Sequence, residues 1–301
     1  MSFNLITVLG PTATGKTKLA VKLADHFNGE IISADSRQVY RRMNIGTGKD
    51  LEDYNIGNSL VNYHLIDIAD PDEEFNLFEF RRKFFEAFNL ILCKKKLPFL
   101  VGGTGLYLSA ILQNYKLKEA NFSSARAGEL KKLESKELKT ILLSKKSIIH
   151  NTTDLNDKDR IIKAILIAEA GSDSTRSYPE VNSLVIGIKP AREEIKKRIT
   201  ERLMQRLNTG MIDEVQSLIN SGLSFEKLDS FGLEYRYISL HLKGELSYDD
   251  LFQKLNVSIH RFAKRQMTWF RKMEREGINI HWIDEPDFNK AKQIILKFTN
   301  V

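Results

Sequence analysis

Residues Gly10-Pro11-Thr12-Ala13-Thr14-Gly15-Lys16-Thr17 have the spacing G-x-x-x-x-G-K-[ST] of a phosphate-binding loop. In such a loop glycines let backbone N–H groups close around an oxyanion, Lys16 adds a compact positive charge, and Thr17 can hold Mg²⁺ at a helix N-terminus. The apolar run Leu5–Leu9 in front and a helical pattern from Lys16 behind supply the strand–loop–helix context the motif needs. A glycine turn with nothing bound is the plainer alternative. A second run, Glu30–Ala34, ends in Asp35-Ser36-Arg37-Gln38-Val39-Tyr40. In a parallel sheet its carboxyl end lies beside the phosphate loop, which makes Asp35 a candidate general base; the position suits a helix N-cap equally well. A third run, Pro98–Val101, stands where a P-loop NTPase carries the Asp that organises Mg²⁺, but it ends in Gly102-Gly103-Thr104-Gly105-Leu106-Tyr107. Backbone donors and a hydroxyl without a carboxylate favour an anion such as a pyrophosphate leaving group, held between two glycine-rich loops, over ATP hydrolysis. A plain strand-to-helix turn is the alternative.

These residues need a sheet to bring them together. Through residue 100, short apolar runs alternate with amphipathic stretches: Leu5–Leu9, a helix from Lys16, Glu30–Ala34, Tyr63–Ile68, a long helix from Asn76 to Lys95, and Pro98–Val101. That order predicts βαβ units and a parallel sheet. Residues 116–180, with Lys/Leu/Glu periodicity and the polar stretch Asn151–Asp159, predict a helical insertion. Leu184–Ile188, closed by Pro190, returns to the sheet; Ala191–Asn208, Met211–Ser221, Leu233–Lys243 and Ser247–Arg275 are helical, and Ile278–Ile283 is a last strand before a helix from Asn289. The expected fold is α/β, a P-loop NTPase-like parallel sheet flanked by helices, with a helical insertion domain and a helical C-terminal part. Its divisions are 1–115, the first part of the core; 116–180, the insertion; and 181–301, core completion and basic helices.

Composition narrows the class. At 42% hydrophobic and 28% charged residues, the chain is neither disordered nor low-complexity. No apolar run approaches the ~18 residues that span a bilayer, and the N-terminus lacks a signal-peptide pattern, so membrane insertion and secretion are not expected. The single Cys93 and six scattered His offer neither an internal disulfide nor a zinc cluster, which fits a reducing cytoplasm. The formal net charge is +7, yet residues 1–100 hold 13 basic and 13 acidic side chains, so the excess lies beyond them. Lys254–Arg275 alone carries seven basic residues against Glu274, which points to a polyanionic partner. In this helix Leu255, Ile259, Phe262, Gln266, Trp269 and Met273 recur at steps of four and three as a buried stripe, with Phe262 and Trp269 as core. Arg261, Arg265, Thr268, Lys272 and Arg275 form a second, basic stripe, either solvated or in contact with phosphates.

Taken in order, GPTATGKT, DSRQVY, YRRMNIGTGK, HLID, VGGTGLY and AKRQMTWFR resemble the tRNA dimethylallyltransferases, or tRNA isopentenyltransferases, over residues 5 to 272. The similarity is to the bacterial form, which has no zinc-finger extension. The resemblance implies transfer of the dimethylallyl group from dimethylallyl pyrophosphate to the exocyclic amine of the adenosine just 3′ of a tRNA anticodon, with Mg²⁺ as cofactor. Carried over, Gly10, Pro11, Thr12, Ala13, Thr14, Gly15, Lys16 and Thr17 bind the pyrophosphate, Thr17 holding Mg²⁺. Asp35 accepts the amine proton and, with Lys16 and Thr104, makes up the catalytic set. Asp35, Ser36, Arg37 and Gln38 contact the target adenosine, and Thr104 lies on the tRNA path. Arg126 and Asp159-Arg160-Ile161-Ile162-Lys163 match tRNA-contacting positions of the insertion, unless they are merely solvated helix charge; Lys264, Arg265 and Gln266 match further tRNA contacts. The implied partners are a tRNA anticodon stem-loop and dimethylallyl pyrophosphate, with no membrane, and the chain is expected to act as a monomer.

Some positions depart from the family pattern. Ile259-His260 stands where many members have Thr-Arg, Tyr63-His64 replaces a His pair, and Gly48-Lys49-Asp50 replaces Ala-Lys-Pro. The first change removes a cation; His64 reads as structural. Arg198, Arg202 and Arg206, at spacing four, read as a surface or RNA-facing stripe. Two other classes stay open beside the prenyltransferase: a P-loop kinase of a nucleotide or small metabolite, and a tRNA-binding protein whose activity has lapsed. A relative that prenylates free adenine nucleotides is disfavoured by the basic C-terminal half.

Overall fold

A computed structural model describes residues 3–122, 124–145, 155, 157–170 and 178–299. Strand β1 (Leu5–Leu9) leads through the phosphate loop into α1 (Lys16–His26) and β2 (Gly29–Ala34). A 3₁₀ turn (Leu51–Tyr54), the small antiparallel pair β3 (Asn55–Ile56) and β4 (Ser59–Leu60), and β5 (Tyr63–His64) follow. Next come α2 (Leu77–Cys93), β6 (Leu97–Gly102) and α3 (Gly105–Leu112), then α4 (Ala125–Lys132), α5 (Ser135–Lys145) and α6 (Lys158–Glu169). The chain returns through β7 (Ser183–Ile188), α7 (Arg192–Asn208), α8 (Met211–Asn220), α9 (Phe225–Ser230), α10 (Leu233–Leu242), α11 (Tyr248–Arg275), β8 (Ile280–Ile283) and α12 (Phe288–Thr299). Six strands form one parallel sheet in the order β5-β2-β6-β1-β7-β8.

The order places β1, β2 and β6 side by side, so the three loops singled out in the sequence leave the same carboxyl edge. Alternation along the strands does the rest. Ile6, Val8, Phe99, Val101 and Ile186 pack with Leu19, Leu23 and Ile295 in one core. Leu5, Leu9, Ile32 and Leu100 are equally buried on the alternate face, where α2 lies against β2 and β6. Asn76 caps α2 by accepting from Glu79 N at 3.0 Å, and Phe80, Phe84 and Phe88 of that helix are fully buried. Residues Lys116–Tyr178 form a compact unit of their own, around a core that includes Leu130, Leu138, Leu142, Ile161 and Ile165; Met1–Tyr115 and Pro179–Val301 form the other. Of the polar stretch Asn151–Asp159, residues 151–154 and 156 lie outside the described residues. Among the described residues no helix is long and apolar enough to cross a membrane.

Two expectations change. The run Tyr63–Ile68 is a strand for two residues only, because Leu65 (φ 64°) and Asp67 (φ 54°) adopt left-handed backbone. The buried ammonium of Lys49 holds the Asp67 carboxylate and the Tyr40 carbonyl, drawing the chain out of the ladder. In α11 the buried positions are Leu251, Leu255, Ile259, Ala263, Gln266, Phe270 and Met273. Phe262 is exposed and Trp269 half-buried, so the seam takes Ala263 and Phe270 where steps of four and three had placed the aromatics. At 3.6 residues per turn, three successive steps of four carry the seam from Leu251 to Ala263 before a step of three corrects it.

At the amino end of β2, Glu30 is fully buried and meets His64 Nε2 at 2.8 Å, Lys94 Nζ at 3.1 Å, Lys96 Nζ at 3.0 Å and Asn62 Nδ2 at 3.2 Å. His64 is therefore structural. Burial raises the Glu30 carboxyl, but hydrogen bonds from His64, Lys96, Lys94 and Asn62 outweigh it and bring it to about 2, below its ordinary 4.5. A depressed carboxyl stabilises the folded state above its unfolded value, and that stability is lost as pH falls toward the folded one. Denaturant unfolding followed from pH 5 to 2 should show Glu30→Gln losing less stability across this window than the wild type; equal acid limbs would remove the network from acid stability.

Candidate active site

The phosphate loop is shaped by its own backbone. Gly15 (φ 73°) and Ala13 (φ 63°) take left-handed conformations, and Thr14 Oγ1 donates to Pro11 O at 2.9 Å inside the loop. No side chain caps the start of α1, so the first N–H groups of the helix face the loop cavity. Lys16 Nζ reaches Pro11 O at 3.4 Å.

Helix α7 supplies two further cations. Arg202 donates to Thr12 Oγ1, and Arg206, with 11% of its side chain exposed, lies 3.4 Å from Asp50 Oδ2. A Cβ on Gly48 (φ 69°) would come within 2.3 Å of Arg206 Nη2, so with an alanine here the end of the Arg206 side chain would have to shift from where it now lies against the loop. Arg202 and Arg206 are thus not a surface stripe. Thr200 Oγ1 meets Asn256 Oδ1 at 3.1 Å, which docks α7 on α11 and turns both arginines inward. Arg198 alone stays outside, paired with Glu194 and Glu285. Burial, and then Arg202 and Arg206, lower Lys16 to about 8 although Asp35 opposes them; burial and Arg206 lower Arg202 to about 10. Burial raises the Glu234 carboxyl, which feels both arginines.

Asp35 ends β2 without starting a helix. Its Oδ1 accepts from Arg37 N at 2.8 Å and Gln38 N at 3.3 Å, closing a turn, while Oδ2 takes no hydrogen bond. The helix cap expected as the alternative is a turn closure instead: one oxygen fixes the carboxylate and the other stays open. Ser36 N donates to Thr104 Oγ1 at 3.1 Å, fastening the turn to the glycine-rich loop after β6. Gln38 is engaged at both ends, its Nε2 donating to Gly48 O at 2.9 Å and its Oε1 accepting from Ser33 Oγ at 3.2 Å. The wall beyond is held by Glu214, whose carboxylate accepts from Asn44 N at 2.7 Å, Ile45 N at 2.7 Å, Gly46 N at 3.0 Å and Tyr235 Oη at 2.8 Å.

Gln266 joins the two glycine-rich loops. Its Oε1 accepts from Thr12 N at 2.9 Å and its Nε2 donates to Gly103 O at 2.8 Å, in a side chain only 7% exposed. A Cβ on Gly103 would sit 2.4 Å from that nitrogen. Gln266 therefore faces the loops and not the basic surface on which Lys264 and Arg265 are exposed. Nearby, the shielded His260 Nε2 has no hydrogen-bond partner.

In the insertion unit, Ile161 and Ile162 belong to the core, so within Asp159–Lys163 only Asp159, Arg160 and Lys163 present side chains at the surface. Arg126 is held by Glu169, at 3.2 and 3.1 Å, and by Glu129 at 3.0 Å.

Among the described residues no three His, Cys, Asp or Glu side chains gather as a metal site. The donor set nonetheless fits Mg²⁺, which takes most of its ligands from phosphate oxygens and water. Thr17 Oγ1 takes part in no hydrogen bond and stands one residue after Lys16, leaving it available as the protein's ligand.

The IPP transferase family model matches residues 38–273, and the isopentenyl transferase model matches residues 3–57. The chain belongs to the IPP transferase family. The chain is similar to tRNA dimethylallyltransferase 2 of Trichlorobacter lovleyi, at 52% identity over 286 residues, 94% of this chain and 92% of that one. tRNA dimethylallyltransferase 1 of Syntrophus aciditrophicus is 48% identical over 297 residues, 97% of each. Among solved structures, the full-length tRNA isopentenylpyrophosphate transferase of Bacillus halodurans superposes with a TM-score of 0.68 at 32% identity, covering 99% of this chain and 95% of that one. A eukaryotic dimethylallyltransferase acting on tRNA shares the fold, with a TM-score of 0.74 at 20% identity over 93% of this chain and 74% of its own.

Gln266→Ala leaves Thr12 N and Gly103 O unpaired, and Gln266→Glu keeps the first bond but sets a carboxylate oxygen against a carbonyl. Both variants should lose roughly 1–3 kcal/mol of stability by chemical denaturation. A Gln266→Glu variant as stable as the wild type would show that the Gly103 bond contributes nothing.

Proposed function

We propose that the chain transfers the dimethylallyl group of dimethylallyl pyrophosphate to the N6 amine of the adenosine 3′-adjacent to a tRNA anticodon, giving N6-(dimethylallyl)adenosine and pyrophosphate. One observation carries this reading: Lys16, Arg202 and Arg206 crowd a phosphate loop beside a half-open carboxylate, and the tip of β6 offers Thr104 where a hydrolase needs an acid. The relatives named above for dimethylallyl transfer to tRNA support it over the full length.

The allylic C–O bond breaks as charge moves onto the pyrophosphate. Lys16, Arg202, Arg206 and the open N–H groups of α1 stabilise that charge, the three cations turning to it from Pro11 O, Thr12 Oγ1 and Asp50. The amine nitrogen forms the new C–N bond and its proton passes to Asp35 Oδ2, held in place through Oδ1. Bound Mg²⁺ would neutralise part of the pyrophosphate charge, with Thr17 as its protein ligand. The adenine must leave the anticodon-loop stack to reach Asp35, passing Ser36, Arg37 and Thr104. Arg126, Asp159, Arg160 and Lys163 of the insertion and Lys264 and Arg265 of α11 are the surface groups assigned to the RNA. The protein acts as a monomer in the cytoplasm on an anticodon stem-loop. The kinase reading lacks an acid at the tip of β6, and a lapsed enzyme has no need for an open Asp35 oxygen.

Radiolabelled dimethylallyl pyrophosphate, incubated with unmodified tRNA or with adenosine monophosphate, should label the tRNA; label in the mononucleotide alone would refute the proposal. Asp35→Ala should lower single-turnover transfer by roughly 10² to 10⁴ while RNA affinity stays within a few fold. Loss of its turn-closing bonds should cost about 1 kcal/mol. A destabilised but fully active Asp35→Ala variant would remove Asp35 from the chemistry.

A further inference from the structure

Phe262 departs from the core assigned to it: its ring is 38% exposed on α11, one turn before Gln266, whose amide touches both loops of the site. The ring lies where the buried seam of Ile259, Ala263 and Gln266 meets a row of exposed cations. Arg265 stands over it, the guanidinium carbon 5.8 Å from the centroid. No acidic residue occurs between Lys254 and Glu274, and among the described residues Arg261, Lys264, Arg265, Arg271 and Arg275 have no carboxylate partner. Lys196 and Arg198 of α7 differ in this respect, being paired with Glu193, Glu194 and Glu285.

Trp269, seven residues on, is fastened to the fold. Its Nε1 donates to Ser109 Oγ at 2.8 Å, and a Cβ on Gly105 would fall 2.3 Å from its ring. Phe262 has no such anchor. An aromatic ring set among unpaired cations matches the alternation of base and phosphate along a single strand, where bases stack on rings and phosphates take the charges. We propose that Phe262 is a stacking surface for an unpaired nucleobase flanking the target adenosine, with Arg261, Lys264 and Arg265 holding the neighbouring phosphates. This rests on the prenyl-transfer reading and adds a residue that selects single-stranded RNA at its site.

The test compares wild type with Phe262→Ala, Phe262→Leu and Phe262→Tyr, using an unmodified anticodon stem-loop RNA and labelled dimethylallyl pyrophosphate. Because Phe262 is at the surface, all variants should melt close to the wild type. Phe262→Ala and Phe262→Leu should raise KM for the RNA on the order of 5- to 100-fold with kcat and the salt slope of binding unchanged, and Phe262→Tyr should keep near wild-type KM. A 2-aminopurine placed beside the target adenosine should be quenched by wild type and Phe262→Tyr but not by Phe262→Leu. Phe262→Leu with wild-type KM and quenching would reduce the ring to apolar cover and overturn the proposal, as would an unaffected Phe262→Ala. A wild type that labels no RNA would overturn the prenyl-transfer reading and this one together; a wild type that labels RNA beside unaffected variants would overturn only the stacking role.

Discussion

Lys16, Arg202 and Arg206 converge on one phosphate loop, and burial together with their mutual repulsion lowers Lys16 to about 8 and Arg202 to about 10. Nearby carboxylates oppose this shift, yet Lys16 and Arg202 both stay below their ordinary values. Asp35, Asp50 and Glu234 feel the arginines without neutralising them, and Oδ1 of Asp35 is committed to its own turn. The site is therefore arranged for a polyanion, and the group that arrives relieves repulsion as well as forming bonds. In the proposed transfer the leaving pyrophosphate gains most, since its negative charge grows as the allylic bond breaks.

The rest of the core holds these charges in place. The sheet order delivers the ends of β1, β2 and β6 to one edge, and Gln266 crosses from α11 to tie the first loop to the third. Thr104 ties the third to the turn at Asp35. Helix α7 can bring Arg202 and Arg206 inward only because it docks on α11, and Glu214 fixes the loop against which Arg206 lies. One long helix thus carries a buried seam, whose Gln266 also braces the glycine-rich loops, and a basic surface on which Arg261, Lys264, Arg265, Arg271 and Arg275 have no carboxylate partner among the described residues.

Much of this was legible in the sequence, for identifiable reasons. The phosphate loop, the end of β2 and the Gly102–Gly105 turn are local motifs whose glycine spacing states their geometry, and alternation of strands and helices fixes a parallel sheet around them. The inward turn of Arg202 and Arg206 is not legible in the sequence because spacing of four describes an inward row and a solvated row equally well; only the docking of α7 separates them. The bracing role of Gln266 is not legible because a polar residue within Lys264-Arg265-Gln266 gives no sign of the backbone groups it meets far away in sequence. Steps of four and three place Phe262 and Trp269 in the core because they only approximate a seam that here runs through Ala263 and Phe270. The early end of β5 is hidden because the pull of Lys49 on Asp67 is a tertiary contact.

In the proposed reaction the crowded cations receive a pyrophosphate. Burial and the neighbouring arginines lower Lys16 to about 8, and an anion that draws it back toward its ordinary 10.5 must take up a proton in that pH range. Calorimetry of dimethylallyl pyrophosphate binding in buffers of differing ionisation enthalpy reads that uptake directly. Wild type is expected to take up more protons than Lys16→Ala at pH 8, and that difference should shrink toward about pH 6.5, where Lys16 is already charged. Proton-neutral binding at pH 8, or ATP binding more tightly with turnover to ADP, would contradict the account.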